Sequence, residues 1–456
     1  MREEDRVRWR AIRTVVTGAI CVVLIQMSST NVASASEAPT WDDVAPILEA
    51  HCLRCHMPMS VAPMSLRTFD EARPWAKAIR RNVTGGTMPP WFADPKVGRF
   101  KNDPRLSPRE IETITRWVDG GAPPGDRPSM TQAQPPSMDG TSWQLGTPDL
   151  VVEMPEAFEI PADGTIDYVY LRTPIGNSEP RWVRAVEVLA GSRAHVHHID
   201  VMVCKRGCPS SPFYAALEAG VPTQPPRAPQ RRQKPEFDPF GMVDGDDTEF
   251  YYSFLPGGMP RELPEGHGRL LPAGAELVLS LHYTANGEPA QDRSRVGLYF
   301  LDEPPQRRVV SFFLDNWSIW VPAGAPRYEA RTRRAVARDV ELLAITPHMH
   351  FRGVAAELAF RPPASATRPI LSVPAYDFAW QITYELEEPL RLAKGSELQL
   401  LNVFDNSADN PYNPDPTVDV AWGLQSWDEM SSAFLEFAVP LDADPDTVFA
   451  APPETP

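Results

Sequence analysis

Positive charge is scarce in this chain: 44 Lys and Arg stand against 60 Asp and Glu, a formal net charge of −16. Such acidity excludes nucleic acid and anionic membrane surfaces as natural partners. Long apolar runs are scarce too. The stretch VVTGAICVVLIQM, Val15 to Met27, is shorter than the ~20 residues a membrane-spanning helix needs. Cysteines number 5 and histidines 9 in 456 residues, so wherever either clusters the spacing carries information. Room for long helices is also limited, because 51 prolines are about twice the usual ~5%. Many short strands, turns and loops are expected instead.

The N-terminus reads as a secretory signal over residues 1–35. Arg2, Arg6, Arg8, Arg10 and Arg13 precede the apolar stretch, and Ala33-Ser34-Ala35 is an A-x-A cleavage site. An uncleaved anchor is the other reading. Cleavage removes five Arg against Glu3, Glu4 and Asp5, which takes the charge from −16 to −18. A periplasmic or secreted protein with no stable membrane span after cleavage is expected, and disulfide chemistry is open to it.

Cys52-Leu53-Arg54-Cys55-His56 is C-x-x-C-H, the covalent c-type haem attachment pattern. Two thiols add to the haem vinyls, and the adjacent imidazole becomes an iron ligand. A disulfide redox pair would need a βαβ context, and a zinc site two further ligands; neither is nearby. Thr40 with Asp43 forms a capping box before a helix with apolar face Val44, Ile47 and Leu48. Ser107-Pro108-Arg109-Glu110 opens another, with face Ile111, Ile114, Trp117 and Val118. Residues 38–121 thus resemble a small c-type cytochrome. Met88, held between Thr87 and Pro89-Pro90, is the expected sixth ligand, with Met57, Met59 and Met64 as rivals.

Residues 122–147 are a Pro-, Ser- and Gln-rich linker. Beyond it come strand-like stretches such as RWVRAVEVL, ELVLSLHYT and DVELLAITPHMH. A weak repeat pairs EIPADGTIDYVYLRT with WVPAGAPRYEARTRR, and LPAGAELVLSLHYTANG with LAKGSELQLLNVFDNSA. Two β-sandwiches, residues 148–303 and 304–450, are expected. The basic insertion QPPRAPQRRQKPEF reads as a surface loop.

Histidines cluster at corresponding places in the two halves: His195, His197, His198 and His282 in one, His348 and His350 in the other. On a strand, positions i and i+2 share a face, so His348 and His350 would aim at one point. His197 and His198 would both reach one metal only if their strand ends, bulges or bends there; otherwise His195 partners His197. Imidazole sets of this kind suit copper, zinc, iron or nickel. Cys204 and Cys208 read as a small disulfide loop, with a thiolate copper site as the alternative.

In this order HVHHIDV, LHYTANG, TPHMHFRG and WDEM resemble the signature of the copper type II, ascorbate-dependent monooxygenases, the family of peptidylglycine- and dopamine-hydroxylating enzymes. The resemblance covers residues 148 to 440. It implies two jelly-roll-like sandwiches facing each other across a gap, with a copper at His197, His198 and His282, and an oxygen-binding copper at His348, His350 and Met430. It implies hydroxylation of a C–H bond with O2. Where peptide-amidating relatives grip a carboxylate with Arg, Asn and Tyr, this chain has Thr346, Ser432 and Phe434, so a different small organic substrate is expected. Arg352 reads as one side of a surface ion pair.

The expected whole is a multidomain chain: a small all-α cytochrome c-like domain, then two all-β jelly-roll-like sandwich domains. It would carry one covalent haem c and two copper ions, and take electrons from a periplasmic donor. A non-enzymatic electron-transfer or copper-binding haem protein is the alternative.

Overall fold

Strands dominate the computed structural model, which describes residues 38–57, 62, 64–126, 142–166, 168–204, 248–255, 260–423 and 425–450. The expected signal segment, the basic insertion and Cys208 lie outside the described residues. Alternating apolar residues place the strands where the sequence suggests: RWVRAVEVL forms Arg181–Leu189, ELVLSLHY forms Glu276–Tyr283, and VELLAITPH forms Val340–His348.

The largest sheet runs through both halves of the chain. Its order is Leu150–Glu153, Arg295–Phe300, Arg181–Leu189, His267–Leu271, Arg307–Phe313, Ser432–Pro440, Val340–His348 and Tyr384–Leu392. The halves join where Arg307 and Arg308 pair in parallel with His267 and Gly268. A four-stranded sheet covers each half: Val169–Pro174, Glu276–Tyr283, Val196–Cys204 and Thr248–Phe254 on the first, and Tyr328–Ala335, Glu397–Phe404, Gly353–Arg361 and Arg368–Val373 on the second.

Each half has its own core between sheets. Val183, Val186 and Val188 meet Ile199, Val201 and Leu279 in the first. Leu342, Ile345, Leu435 and Phe437 meet Leu358, Leu398 and Leu400 in the second. Buried charge also ties the halves together. Glu436 of the second half takes Arg261 and Arg269 of the first, Arg269 Nη2 lying 2.9 Å from Glu436 Oε1. Burial alone would raise the Glu436 carboxyl, but the two guanidinium groups hold it below its ordinary value.

The expected separate all-α cytochrome c-like domain is not what the structure has. Pro39–Pro456 forms one compact unit, and its α-helices among the described residues are Trp41–His51, Phe69–Ala72, Ala76–Thr84 and Pro108–Asp119, none longer than 12 residues. They bury a modest cluster including Trp41, Val44, Leu48, Ile114 and Trp117. Part of the chain between Ala76–Thr84 and Pro108–Asp119 leaves them for the second sandwich. Asp94 N donates to Ser372 O at 2.8 Å, Lys101 N to Glu385 O at 2.9 Å, and Trp91 packs on Tyr384 with ring centroids 4.8 Å apart. Trp91 therefore belongs to the core of the second sandwich rather than to a helical core.

Both expected capping boxes form, with Ser107 and Glu110 exchanging bonds at 3.3 and 2.7 Å. A third capping box, Thr68 with Glu71, opens the short helix Phe69–Ala72. Replacing Ser107 with Ala is expected to cost about 1 kcal/mol. Chemical denaturation measures this, and an unchanged midpoint would show that the cap contributes nothing.

Candidate functional site

In both halves the histidines sit where the chain crosses from the large sheet to a small one. In the first half, Val196–Cys204 pairs with Glu276–Tyr283, and the register shifts between Val196 and His198, which places His198 opposite His282. The irregularity lets adjacent residues converge: His197 Nδ1 and His198 Nδ1 are 3.3 Å apart. One ring nitrogen from each of His197, His198 and His282 lies within 4.8 Å of the others. His282 Nδ1 is buried without a hydrogen-bond partner. Burial lowers all three, His282 to about 3 with help from His197, and His198 well below its ordinary range with help from His282. They stand as neutral imidazoles, the form that binds a metal.

His195 is not part of this group. Its Nδ1 lies 2.8 Å from Ser192 Oγ and its Nε2 2.9 Å from Asn286 Oδ1, so both ring nitrogens are engaged. His51 and His267 likewise bond backbone carbonyls, of Pro104 and Glu265.

In the second half the strand stops at His348, opposite Ser432, and His350 lies in the turn that follows. The shared-face expectation is thus corrected: the two rings meet through the turn, with centroids 5.2 Å apart at 89°. That turn is tight. A Cβ on Gly353 would fall 2.4 Å from Met349 Cβ, so only glycine fits. His348 Nδ1 donates to Gln381 Oε1 at 2.6 Å and His350 Nδ1 to the Asp428 carbonyl at 3.2 Å, which leaves each Nε2 as the lone pair. Burial lowers His348 to about 4, and His350 well below its ordinary range.

Glu429 holds this turn against the Met430 segment. Its carboxylate accepts from His350 N at 2.9 Å and Arg352 N at 2.7 Å. Burial pushes its carboxyl up to about 8, although those N–H groups and Arg352 pull the other way. Arg352 is no surface residue: it is 1% exposed and donates to Asn406 Oδ1 at 2.7 Å and the Trp427 carbonyl at 2.8 Å. Its guanidinium fixes the loops carrying His350 and Met430 rather than meeting an anion.

His198 from the first half and His348, His350 and Met430 from the second line one small cavity of about 50 Å³, walled by Tyr168, Trp422 and Phe434. Phe378 also touches both groups, its ring centroid about 6 Å from those of His197, His282 and His350. Of the positions where peptide-amidating relatives hold a carboxylate, Thr346 bonds Thr383, Ser432 bonds Asp315, and Phe434 stacks on Phe250. None is a cation.

Cys52, Cys55, His56 and Met88 line a second, larger cavity of about 700 Å³. Pockets that enclose cofactors span ~300–1,000 Å³. His56 Nδ1 donates to the Met64 carbonyl at 3.2 Å, leaving Nε2 available as a ligand. Met57 is buried and packs with Met64 in the helical cluster, while Met59 lies outside the described residues. Burial pushes the Cys52 thiol up to about 12 and raises Cys55. Redox C-x-x-C pairs depend on a lowered value, so these thiols are poor candidates for disulfide exchange. Cys204 ends its strand fully buried; because Cys208 is outside the described residues, their pairing is not described.

No family model matches the chain, and no curated protein matches it. Among solved structures it is weakly similar to that of infectious bursal disease virus Gt strain, at 6% identity over 66% of this chain and 73% of that one, with a TM-score of 0.19. PNGF-II gives 10% identity over 61% of this chain and 65% of its own, with a TM-score of 0.24. Scores this low carry no argument about fold or function. Among the described residues no helix is long and apolar enough to cross a membrane.

Proposed function

We propose that this chain is a periplasmic or secreted copper-dependent monooxygenase that hydroxylates a C–H bond of a small organic substrate and receives electrons through a covalent haem. The observation that carries the reading is that His198, one of three clustered imidazoles of the first half, lines a single cavity together with His348, His350 and Met430 of the second. The donor chemistry fits copper. Imidazole and thioether stabilise its reduced form, and the orphaned His282 Nδ1 is a buried lone pair that a metal would satisfy. His197, His198 and His282 would hold one ion; His348, His350 and Met430 the other. Copper there supplies one-electron chemistry with O2.

The residues around the larger cavity fit a haem: Cys52 and Cys55 would hold it covalently, His56 and Met88 would ligate its iron, and it would supply one-electron transfer. The overall reaction is R–H + O2 + two electrons + two protons giving R–OH and water. The electrons come from a periplasmic electron donor. The chain's own contributions are orientation and exclusion of water. Gln381 and the Asp428 carbonyl fix the two imidazoles, Glu429 fixes the backbone between them, and Tyr168, Trp422 and Phe434 give the cavity aromatic walls.

A second reading, a non-enzymatic electron-transfer or copper-binding haem protein, is favoured by the small size of that cavity, about 50 Å³. The two are separated by supplying the copper-loaded, haem-bearing protein with reductant, ¹⁸O2 and a panel of small C–H substrates. Monooxygenation puts one labelled oxygen into an organic product. Oxygen uptake that ends only in peroxide or water across the panel supports the electron-transfer reading.

A further inference from the structure

Among the described residues, the small cavity of His198, His348, His350 and Met430 and the larger cavity of Cys52, Cys55 and His56 have two wall residues in common, Phe250 and Phe434. One comes from each half: Phe250 from the strand Thr248–Phe254, Phe434 from Ser432–Pro440. Their rings stack with centroids 4.9 Å apart and planes 7° from parallel, and the Phe434 centroid lies 5.3 Å from that of the His348 ring. Backbone pairing fixes the Phe434 main chain, which lies between Phe313 and Thr346 of the neighbouring strands. The two rings are held by packing alone. Thr346 and Gln381, also in the wall of the larger cavity, are hydrogen-bonded to Thr383 and His348, so moving them breaks polar contacts. Turning a phenyl ring breaks none, and an aromatic stack favours the closed arrangement by no more than about tenfold.

We propose that the Phe250–Phe434 stack is a selective passage between the two cavities, and that the substrate it admits to the His348, His350 and Met430 site is a small organic molecule without an anionic group. This rests on the copper reading given above. The size limit follows from the space. Cavities that take drug-sized ligands span ~300–1,000 Å³, and about 50 Å³ falls well below that range. The haem would share the larger cavity, which narrows the approach as well. The charge limit follows from desolvation. Between two phenyl rings an anion sheds water and meets no hydrogen-bond donor, a far greater cost than for a neutral molecule. Beyond the rings no Lys or Arg lines the small cavity, whereas Asp200 and Asp315 do. Each half supplies one ring, so the passage exists only where the halves meet.

The test uses the full chain with haem attached and compares it with Phe250→Ala, Phe434→Ala and Trp317→Leu, since Trp317 lines the small cavity but not the larger one. In copper-free protein the probe is diethyl pyrocarbonate, which carbethoxylates neutral imidazole, and modification of His348 and His350 is read by peptide mass spectrometry. The expected result is protection in the unsubstituted protein and in Trp317→Leu, and modification about tenfold faster in both Phe variants. Unchanged protection in both Phe variants, or an equal gain in Trp317→Leu, overturns the passage. In copper-loaded, reduced protein the probes are methyl isocyanide, tert-butyl isocyanide and the anion isocyanoacetate, read by the infrared band of the bound isocyanide. Methyl isocyanide is expected to bind at least about tenfold faster than the other two. Equal rates contradict the limits on size and charge. These rates need no variant, so they decide the matter should the variants fail to fold. Absence of copper from the loaded, unsubstituted protein overturns the copper reading instead, and carbethoxylation still tests the passage.

Discussion

His282→Ala is expected to leave the protein folded but to lower its copper content from two ions to one and to abolish coupled turnover. His282 supplies the third nitrogen of a group in which one ring nitrogen of each lies within 4.8 Å of the others, and its Nδ1 has no partner among the described residues. Removing an outer partner of a metal ligand costs ~10–100-fold in affinity, and removing the ligand itself costs more. A loss of at least about 100-fold at this site is therefore expected. His198 lies opposite His282 across the strand pair, so the substitution trims a side chain without cutting the sheet. Copper titration followed by desalting measures the effect. Two ions retained with unchanged affinity would mean that this imidazole group is a buried structural cluster. His195→Ala is the control. Its ring bonds Ser192 and Asn286, so it is expected to lower stability and spare copper.

Glu429→Ala has the second largest expected effect, on stability and on the second site at once. The carboxylate is 0% exposed and accepts the backbone N–H groups of His350 and Arg352. A buried donor left without an acceptor costs about 1–3 kcal/mol, so two orphaned donors imply a loss of roughly 3 kcal/mol or more. The turn carrying His350 would then part from the Met430 segment, and copper at His348, His350 and Met430 is expected to fall away. Denaturant midpoints and copper retention read the two effects separately. Full stability together with full copper content would show that Glu429 does not hold the turn.

Much of this site is written in short-range pattern. The H-H and H-x-H pairs, the histidine of LHYTANG and the methionine of WDEM announce ligands by type and spacing. The need for a bulge at His197 follows from strand alternation alone. The strands follow from period-two burial and the two end helices from their caps. What is not legible depends on partners far away in the chain. Gln381 reaches His348 across 33 residues and Glu429 reaches His350 across 79, and nothing local in their neighbourhoods marks them. Arg352 reads as a surface charge because only the fold reveals that Asn406 and the Trp427 carbonyl enclose it. The segment with the c-type attachment motif misleads in another way. Its helices are legible, but Trp91 and Lys101 bind the second sandwich, so the helices do not form a separate body. The merging of two sandwiches into one long sheet rests on the pairing of Arg307 and Arg308 with His267 and Gly268, a long-range choice that repeat analysis cannot supply.

The decisive measurement is the copper-to-iron ratio of the protein purified with haem attached, loaded with copper and then desalted. Two coppers per iron is the expected result, one at His197, His198 and His282 and one at His348, His350 and Met430. A ratio of zero would contradict the monooxygenase reading and leave the two imidazole groups as buried structural clusters.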